Sequence, residues 1–383
     1  MMRIGVTLAG TDRGASGLGT YIKAVIPRLA TALARTGGEL VAIGTARDLD
    51  AYAGSLAGTE RSVLPAWVDE PGASAAFHLG LAGHVAQRAG ASVLLLPAAN
   101  RRATLSRALP TVAVVHDLAQ LFVREKYDRA RMAYVRGLVA GPLRLASSLV
   151  AVSRATQSDL ARALSIPRAR IRVVPNGVDS SRFRPLAHGD ADAAMILARS
   201  GLTRPYVLYV SRLEHPGKNH LRLVRAFSRS HGARDHDLVL VGPDWGAGGA
   251  IAAEAEACGV SSRVRILGRV DDATLHALVG TADAVAMVGL HEGFGLPALE
   301  ALSCGRPVLA ARAGALPEVT GDLGALCDPL NEQSIEQAMD RVLCDEELRA
   351  RVHRDGPAWA ARHDWDACAS GLLDACADAM RAA

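Results

Sequence analysis

The chain has 383 residues, half of them hydrophobic, which is long for one domain and rich enough in apolar side chains to build two cores. No apolar run approaches the roughly 18 residues that span a bilayer, and the opening MMRIGVTLAG lacks the layout of a secretory signal, so a cytoplasmic protein is expected. The net charge of +4 conceals an asymmetry, with 24 Lys and Arg against 12 Asp and Glu in residues 1–185 and 19 against 27 in residues 186–383; the basic half has no aromatic interleaving, zinc pattern or charged tail, which sets nucleic acid aside as a partner.

In chain order, RIGVTLA (3–9) is the first apolar run of strand length, and GTDRGASGLGTYIKAVIPRLATAL follows it. Gly14, Gly17 and Gly19 stand before an amphipathic helix. Their spacing is not that of the dinucleotide fingerprint, and the second run, LVAIG (40–44), ends without the acidic residue that holds a ribose. A flexible glycine loop that touches a ligand is expected instead. SVLLLP (92–97), TVAVVH (111–116), SLVAVS (148–153) and IRVVP (171–175) complete the first series. His116 and Asp117 close TVAVVH, where a histidine can exchange a hydrogen bond with a sugar hydroxyl or a phosphate; a structural role explains such a pair equally well. Arg101, Arg102, Arg124, Lys126, Arg129, Arg131 and Arg136 gather around this strand and the next helix, with Leu121, Phe122 and Tyr127 among them. A solvated helix face accounts for the cluster as well as peripheral docking on an anionic membrane does.

NGVDSSRFRPLAHGDADA (176–193), rich in turn formers, reads as a linker. Beyond it come YVLYVS (206–211), DLVLVG (237–242), RVRILG (263–268), DAVAMV (283–288) and PVLAA (307–311). Strands alternating with helices predict parallel sheets covered on both faces, with ligands beyond the carboxyl ends of the strands. There SRLEHPGKNH puts Arg212 just after a strand and Lys218 near the start of a helix, two cations placed to neutralise a diphosphate. HEGFGLPALEALSCG (291–305) sets Glu292 on a strand-to-helix turn and predicts a helix over 297–305, with Pro297 at its first position and Glu300 in its first turn. The glycines, the free amides and the positive end of that helix favour an anion. Carboxylates repel phosphate, so Glu292 and Glu300 should accept hydrogen bonds from hydroxyl groups. A phosphate between two polyols is a nucleotide sugar. Of the DxD triplets that begin at Asp48, Asp190, Asp235 and Asp364, the last three read as linker, loop or cap residues and the first follows a strand by several residues, so no metal site is expected. Six cysteines without CxxC or Cys/His ligand spacing read as reduced thiols.

NGVD (176–179), SRLEHPGKNH (211–220) and above all HEGFGLPALEALSCGRPVLAARAGALPEV (291–319) resemble the retaining glycosyltransferases of the GT-B fold, family 4 or glycosyl transferases group 1, and the resemblance covers nearly the whole chain. It implies an α/β fold of two Rossmann-like doubly wound parallel-sheet domains facing a cleft. Residues 1–185 would be the N-terminal acceptor-side domain and 186–365 the C-terminal nucleotide-sugar-binding domain, with a terminal helix, about 366–383, packing back onto the first. The resemblance also assigns roles: Arg212 and Lys218 bind the donor diphosphate, Glu292 meets the donor sugar, and Glu300 holds the ribose hydroxyls. Gly293, Phe294, Gly295 and Leu296 form the backbone seat, with amides offered from Phe294 to Leu296. Gly17 and Gly19 belong to the first-half loop, and the backbone at Val270 reads the base. His116, Arg212, Lys218 and Glu292 would be the catalytic set, with no cofactor and no metal. The implied partners are a nucleotide-sugar donor, with GDP-mannose favoured over UDP-sugars and dTDP-rhamnose, and a saccharide or lipid-linked saccharide acceptor. Such a reaction belongs to surface polysaccharide or lipopolysaccharide biosynthesis, in the cytoplasm or peripherally on the inner membrane face. A nucleotide-sugar epimerase and a non-catalytic nucleotide-sugar-binding protein stay open as alternatives.

Overall fold

The computed structural model describes residues 1–122, 139–187 and 189–382. The chain divides into two compact units, Met1–Gly177 together with Asp364–Ala383, and Val178–His363. Arg124, Lys126, Arg129, Arg131, Arg136 and Tyr127 of the basic cluster lie outside the described residues.

Among the described residues the first unit holds seven strands: β1 (Arg3–Thr7), β2 (Glu39–Thr45), β3 (Glu60–Leu64), β4 (Val93–Leu96), β5 (Thr111–Val115), β6 (Ser148–Ala151) and β7 (Ile171–Val173), in the order β3-β2-β1-β4-β5-β6-β7. The second holds six: β8 (Tyr206–Val210), β9 (Asp237–Val241), β10 (Val264–Gly268), β11 (Ala284–Met287), β12 (Val308–Ala311) and β13 (Gly324–Cys327), in the order β10-β9-β8-β11-β12-β13. Every pairing is parallel. Runs such as VLLL and TVAVV are buried at every residue, as strands covered on both faces must be. Two strands have no counterpart among the expected runs. β3 is an edge strand whose only buried residue is Leu64, so it carries no apolar run. β13 is also an edge strand, four residues long and opened by a glycine.

In the first sheet β1 lies between β2 and β4, and in the second β8 lies between β9 and β11. The loops that leave β1 and β8 therefore start at the points where the strand order reverses, which is where open α/β sheets bind ligands.

The helix Trp365–Arg381 belongs to the first unit and packs on the helix Gly17–Ala34. Its buried residues Trp365, Cys368, Ala369, Leu372, Ala375, Cys376 and Ala379 recur at helical spacing. Trp365 meets Tyr21 with ring centres 6.0 Å apart, and Arg172 pairs with Asp374 at 3.8 Å and with Asp378. A side chain at Gly177 would put a Cβ 2.3 Å from the Trp365 backbone nitrogen, so that approach needs glycine.

Three of the DxD triplets open on an aspartate with a structural partner. Asp48 forms a capping box with Thr45 and an ion pair with Arg13 at 2.8 Å, while Asp190 and Asp364 cap helices. Among the described residues no group of three or more His, Cys, Asp or Glu could hold a metal ion, and all six cysteines are unpaired.

Candidate active site

After β8 the chain turns through residues 211–219 into the helix His220–Arg229. Arg212 forms an ion pair with Glu214, and its guanidinium carbon lies 4.8 Å from the centre of the Trp245 ring. Lys218 donates through Nζ to Glu292 Oε1 at 2.6 Å, both side chains being largely buried. A charge-assisted bond of this kind fixes the geometry of both side chains.

The turn is held by residues that sequence reasoning missed. Tyr209 donates its hydroxyl to the Lys218 carbonyl at 2.7 Å. Asn219, fully buried with a φ of 61°, donates through Nδ2 to Val288 O at 3.1 Å and to Pro329 O at 2.7 Å. His220 lies within hydrogen-bond distance of Ser211 Oγ (3.1 Å) and Glu214 O (3.3 Å), and burial pushes its pKa down to about 4. Their only sequence signal was the company they keep, since Asn219 and His220 sit beside Lys218 in the quoted motif.

Glu292 follows β11 on the adjoining loop. Its backbone carbonyl accepts from Ala315 N at 2.8 Å, and Gly314, with a φ of 56°, passes so close that a Cβ there would lie 2.0 Å from the Glu292 oxygen. Gly295 has a φ of 94° and caps the next helix, which spans Leu296–Ser303. That helix starts one residue earlier than the spacing predicts, so Pro297 is its second residue and Glu300 stands one turn in rather than in the first turn. Phe294 is buried with its ring edge-on to His363, and Leu296 is buried beside it in the sequence. Pro297 has no N–H, and Ala298 N and Leu299 N donate to Gly295 O at 3.0 and 3.4 Å, so the partial positive charge of the helix start is offered at the Leu296 amide and the turn before it.

Glu300 is 8% exposed. No described group donates a hydrogen bond to its carboxylate, and burial, partly offset by Arg182 and reinforced by Asp272, raises its pKa to about 7. Arg182 is in turn paired with Asp272 at 3.1 Å, at the start of the helix that follows Val270. Val270 itself lies, half-buried, in the short loop between β10 and that helix. In the second unit the structure therefore joins Arg212, Lys218 and Glu292 through one pair of stitched loops, and puts Glu300 within electrostatic reach of the Val270 loop. Arg182 was missed because it lies in the apparent linker, far in sequence from every motif.

In the first unit Gly17 opens the helix Gly17–Ala34, capped by Ser16, and Gly19 is buried in its first turn. A Cβ on Gly19 would lie 2.2 Å from the Gly14 Cα, so this glycine lets the preceding loop fold back on the helix. His116 follows β5 with its ring 4.6 Å from Tyr21, edge to face. Its Nε2 lies 2.8 Å from the Pro97 carbonyl oxygen. A carbonyl only accepts, so Nε2 carries the proton, and in the neutral ring Nδ1 then offers a lone pair. Burial lowers the pKa of this histidine, which favours that neutral form. Asp117 caps the short helix after it, accepting from Ala119 N at 3.1 Å.

A family model for glycosyl transferases group 1 matches residues 198–359, and one for Glycosyltransferase Family 4 matches residues 22–182. The chain belongs to this glycosyltransferase family. Among the relatives of this family member, D-inositol 3-phosphate glycosyltransferase of Salinispora tropica is 33% identical over 293 residues, covering 71% of this chain and 60% of that protein. Matches to three proteins of that name span 57 to 64% of their length. O-antigen chain mannosyltransferase B of Escherichia coli is 29% identical over 267 residues, with 69% of each chain covered. Among solved structures, Anabaena Alr3699/HepE in complex with UDP and glucose aligns over 98% of this chain and 99% of its own with a TM-score of 0.73 at 20% identity. The family member thus has the GT-B fold, with two parallel-sheet α/β domains.

Proposed function

We propose that this chain is a retaining, metal-independent glycosyltransferase that moves a sugar from a nucleotide-sugar donor to a saccharide or lipid-linked saccharide. The observation that carries the reading is Glu300, a buried carboxylate to which no described group donates a hydrogen bond, one turn into a helix whose amino end suits a phosphate. Burying an acceptor without a donor is costly, and two ribose hydroxyls would supply the missing donors.

The other residues take roles that follow from their chemistry. Cleavage of a glycosyl phosphate places negative charge on the departing diphosphate, which Arg212, Lys218 and the backbone amides from Phe294 to Leu296 would stabilise. Glu292, held by Lys218, would accept from a donor-sugar hydroxyl through its remaining oxygen. His116 would accept a hydroxyl proton at Nδ1, and Val270 would offer backbone groups to the base. Retention by double displacement needs a carboxylate nucleophile under the anomeric carbon; with Glu292 committed to Lys218, front-face attack assisted by the leaving phosphate fits this set of groups better. The mannosyltransferase among the relatives supports GDP-mannose as donor and surface polysaccharide synthesis as setting, and HepE, solved with UDP-glucose, keeps UDP-sugars as the competing donors. In this reading the second unit holds the donor, the first holds the acceptor, and the enzyme works in the cytoplasm or peripherally on an anionic inner leaflet.

A calorimetric panel of GDP-mannose, UDP-glucose, dTDP-rhamnose and ADP-glucose tests this. One of them is expected to bind the wild-type chain, with Glu300→Ala weakening it by about 1.5–3 kcal/mol, the worth of a hydrogen bond to a charged group. Unchanged affinity in the variant would remove Glu300 from the site, and formation of a sugar epimer without release of nucleoside diphosphate would replace transfer by isomerisation.

A further inference from the structure

The loop after β9 reads GPDWGAGG, and its tryptophan is unusual for its surroundings: Trp245 is 62% exposed, yet nothing about the segment that carries it is loose. Asp244 Oδ1 accepts from the backbone of Gly246, Ala247 and Gly248 at 2.8, 3.0 and 3.1 Å. Trp245 N donates to Leu213 O and Leu213 N donates to Pro243 O, each at 2.9 Å, so the loop after β9 is laced to the residue that follows Arg212. Gly242 N donates to Gly268 O at 2.8 Å, and a Cβ at Gly242 would stand 2.1 Å from Ser211 O, so only glycine lets the two strand ends meet this closely. On this fixed platform the indole faces the Arg212 guanidinium at 4.8 Å, while Glu214 pairs with the same guanidinium.

We propose that Trp245 is a positioning residue for Arg212, holding the guanidinium by cation–π stacking in the orientation that meets the donor diphosphate. The inference rests on the reading of Arg212 as a diphosphate-binding cation. Arginine has a long, rotamer-rich side chain, and a guanidinium that must be ordered at the moment of binding loses affinity to entropy. Glu214 fixes the guanidinium with an opposing charge that competes with the phosphate. The indole instead attracts the cation through its ring face and leaves the positive charge for the ligand. An aromatic ring left this open to water by a rigid loop buries little apolar surface, so its contribution lies in the contact with Arg212 rather than in the core.

The test is the affinity of the full chain for GDP, UDP, dTDP and ADP, measured by calorimetry on the wild type, Trp245→Leu, Trp245→Phe, Arg212→Ala and the Arg212→Ala/Trp245→Leu double variant, with melting temperatures recorded alongside. Trp245→Leu is expected to keep the wild-type melting temperature and to weaken the preferred nucleotide about two- to fivefold, the fold-change equivalent to about 0.5–1 kcal/mol for an exposed cation–π contact. Trp245→Phe should restore most of that loss, and in the Arg212→Ala background the Leu change should cost nothing further. Wild-type affinity in Trp245→Leu overturns the proposal. So does a loss that persists without Arg212, which would mean that the indole touches the nucleotide directly. If Arg212→Ala itself binds like the wild type, or no nucleotide binds the wild type, the donor-site reading fails instead, a result separable from failure of the stacking role.

Discussion

Glu300 is a residue whose chemistry separates the folded chain from an unfolded one. Its pKa, raised by burial to about 7 from an ordinary 4.5, means that the folded state holds the proton more tightly than the unfolded chain. The associated stability is fully present below about 4.5 and is lost as pH rises through about 7. Denaturant titrations should therefore show the wild type losing stability relative to Glu300→Gln across that window, with Gln flat. Ligand binding should run the other way, because donor hydroxyls favour the ionised carboxylate. Donor affinity is expected to climb as pH rises from 6 to 8, by up to about tenfold per unit below the pKa, and Glu300→Gln should remove the slope. Arg212 and Lys218 make a different prediction, since charge on the leaving group develops during reaction. Arg212→Ala and Lys218→Ala should each lower turnover by about 100-fold with smaller effects on donor affinity, and wild-type turnover in both would defeat the electrostatic role.

At the scale of elements, the site depends on two strand-end loops that interlock through glycine. Gly314 passes Glu292 at a distance that no side chain allows and has a φ of 56°. Gly314→Ala should thus cost roughly 2–3 kcal/mol of stability and misplace the Glu292 backbone, so that melting temperature and turnover fall together; a wild-type melting curve would show that the loops give way easily. Much of this scale was legible in the sequence. Strands such as TVAVV stood out because burial on both faces demands an unbroken apolar run, and charged residues at their carboxyl ends were conspicuous for the same reason. β3 was not legible, since an edge strand open to water can be spelled ERSVL. Asn219, Gly314 and Arg182 were not legible either. Their work is done through partners 69 to 110 residues away for Asn219, across a loop junction for Gly314 and beside a distant carboxylate for Arg182, and periodicity within a window of a dozen residues carries no trace of such contacts.

For the molecule as a whole, no described helix is long and apolar enough to cross a membrane. With 24 cationic against 12 anionic side chains in residues 1–185, the chain should sediment with anionic liposomes and not with neutral ones. Added salt and joint replacement of Arg124, Lys126, Arg129 and Arg131 should release it; indifference to anionic liposomes at low salt would point to a soluble acceptor. The two-unit division bears on biosynthesis as well. The second unit begins at Val178 and ends at His363, and these two residues are hydrogen-bonded to each other, backbone to backbone, at 3.0 Å. It is in effect a guest inserted into a host whose last helix, Trp365–Arg381, is translated only after the guest is finished. On the ribosome the guest can fold while the host still lacks the helix that packs on Gly17–Ala34 and meets Tyr21, so the nascent host must wait with an apolar face uncovered. A chaperone that meets this chain during synthesis should find its binding site there, on the half that was made first.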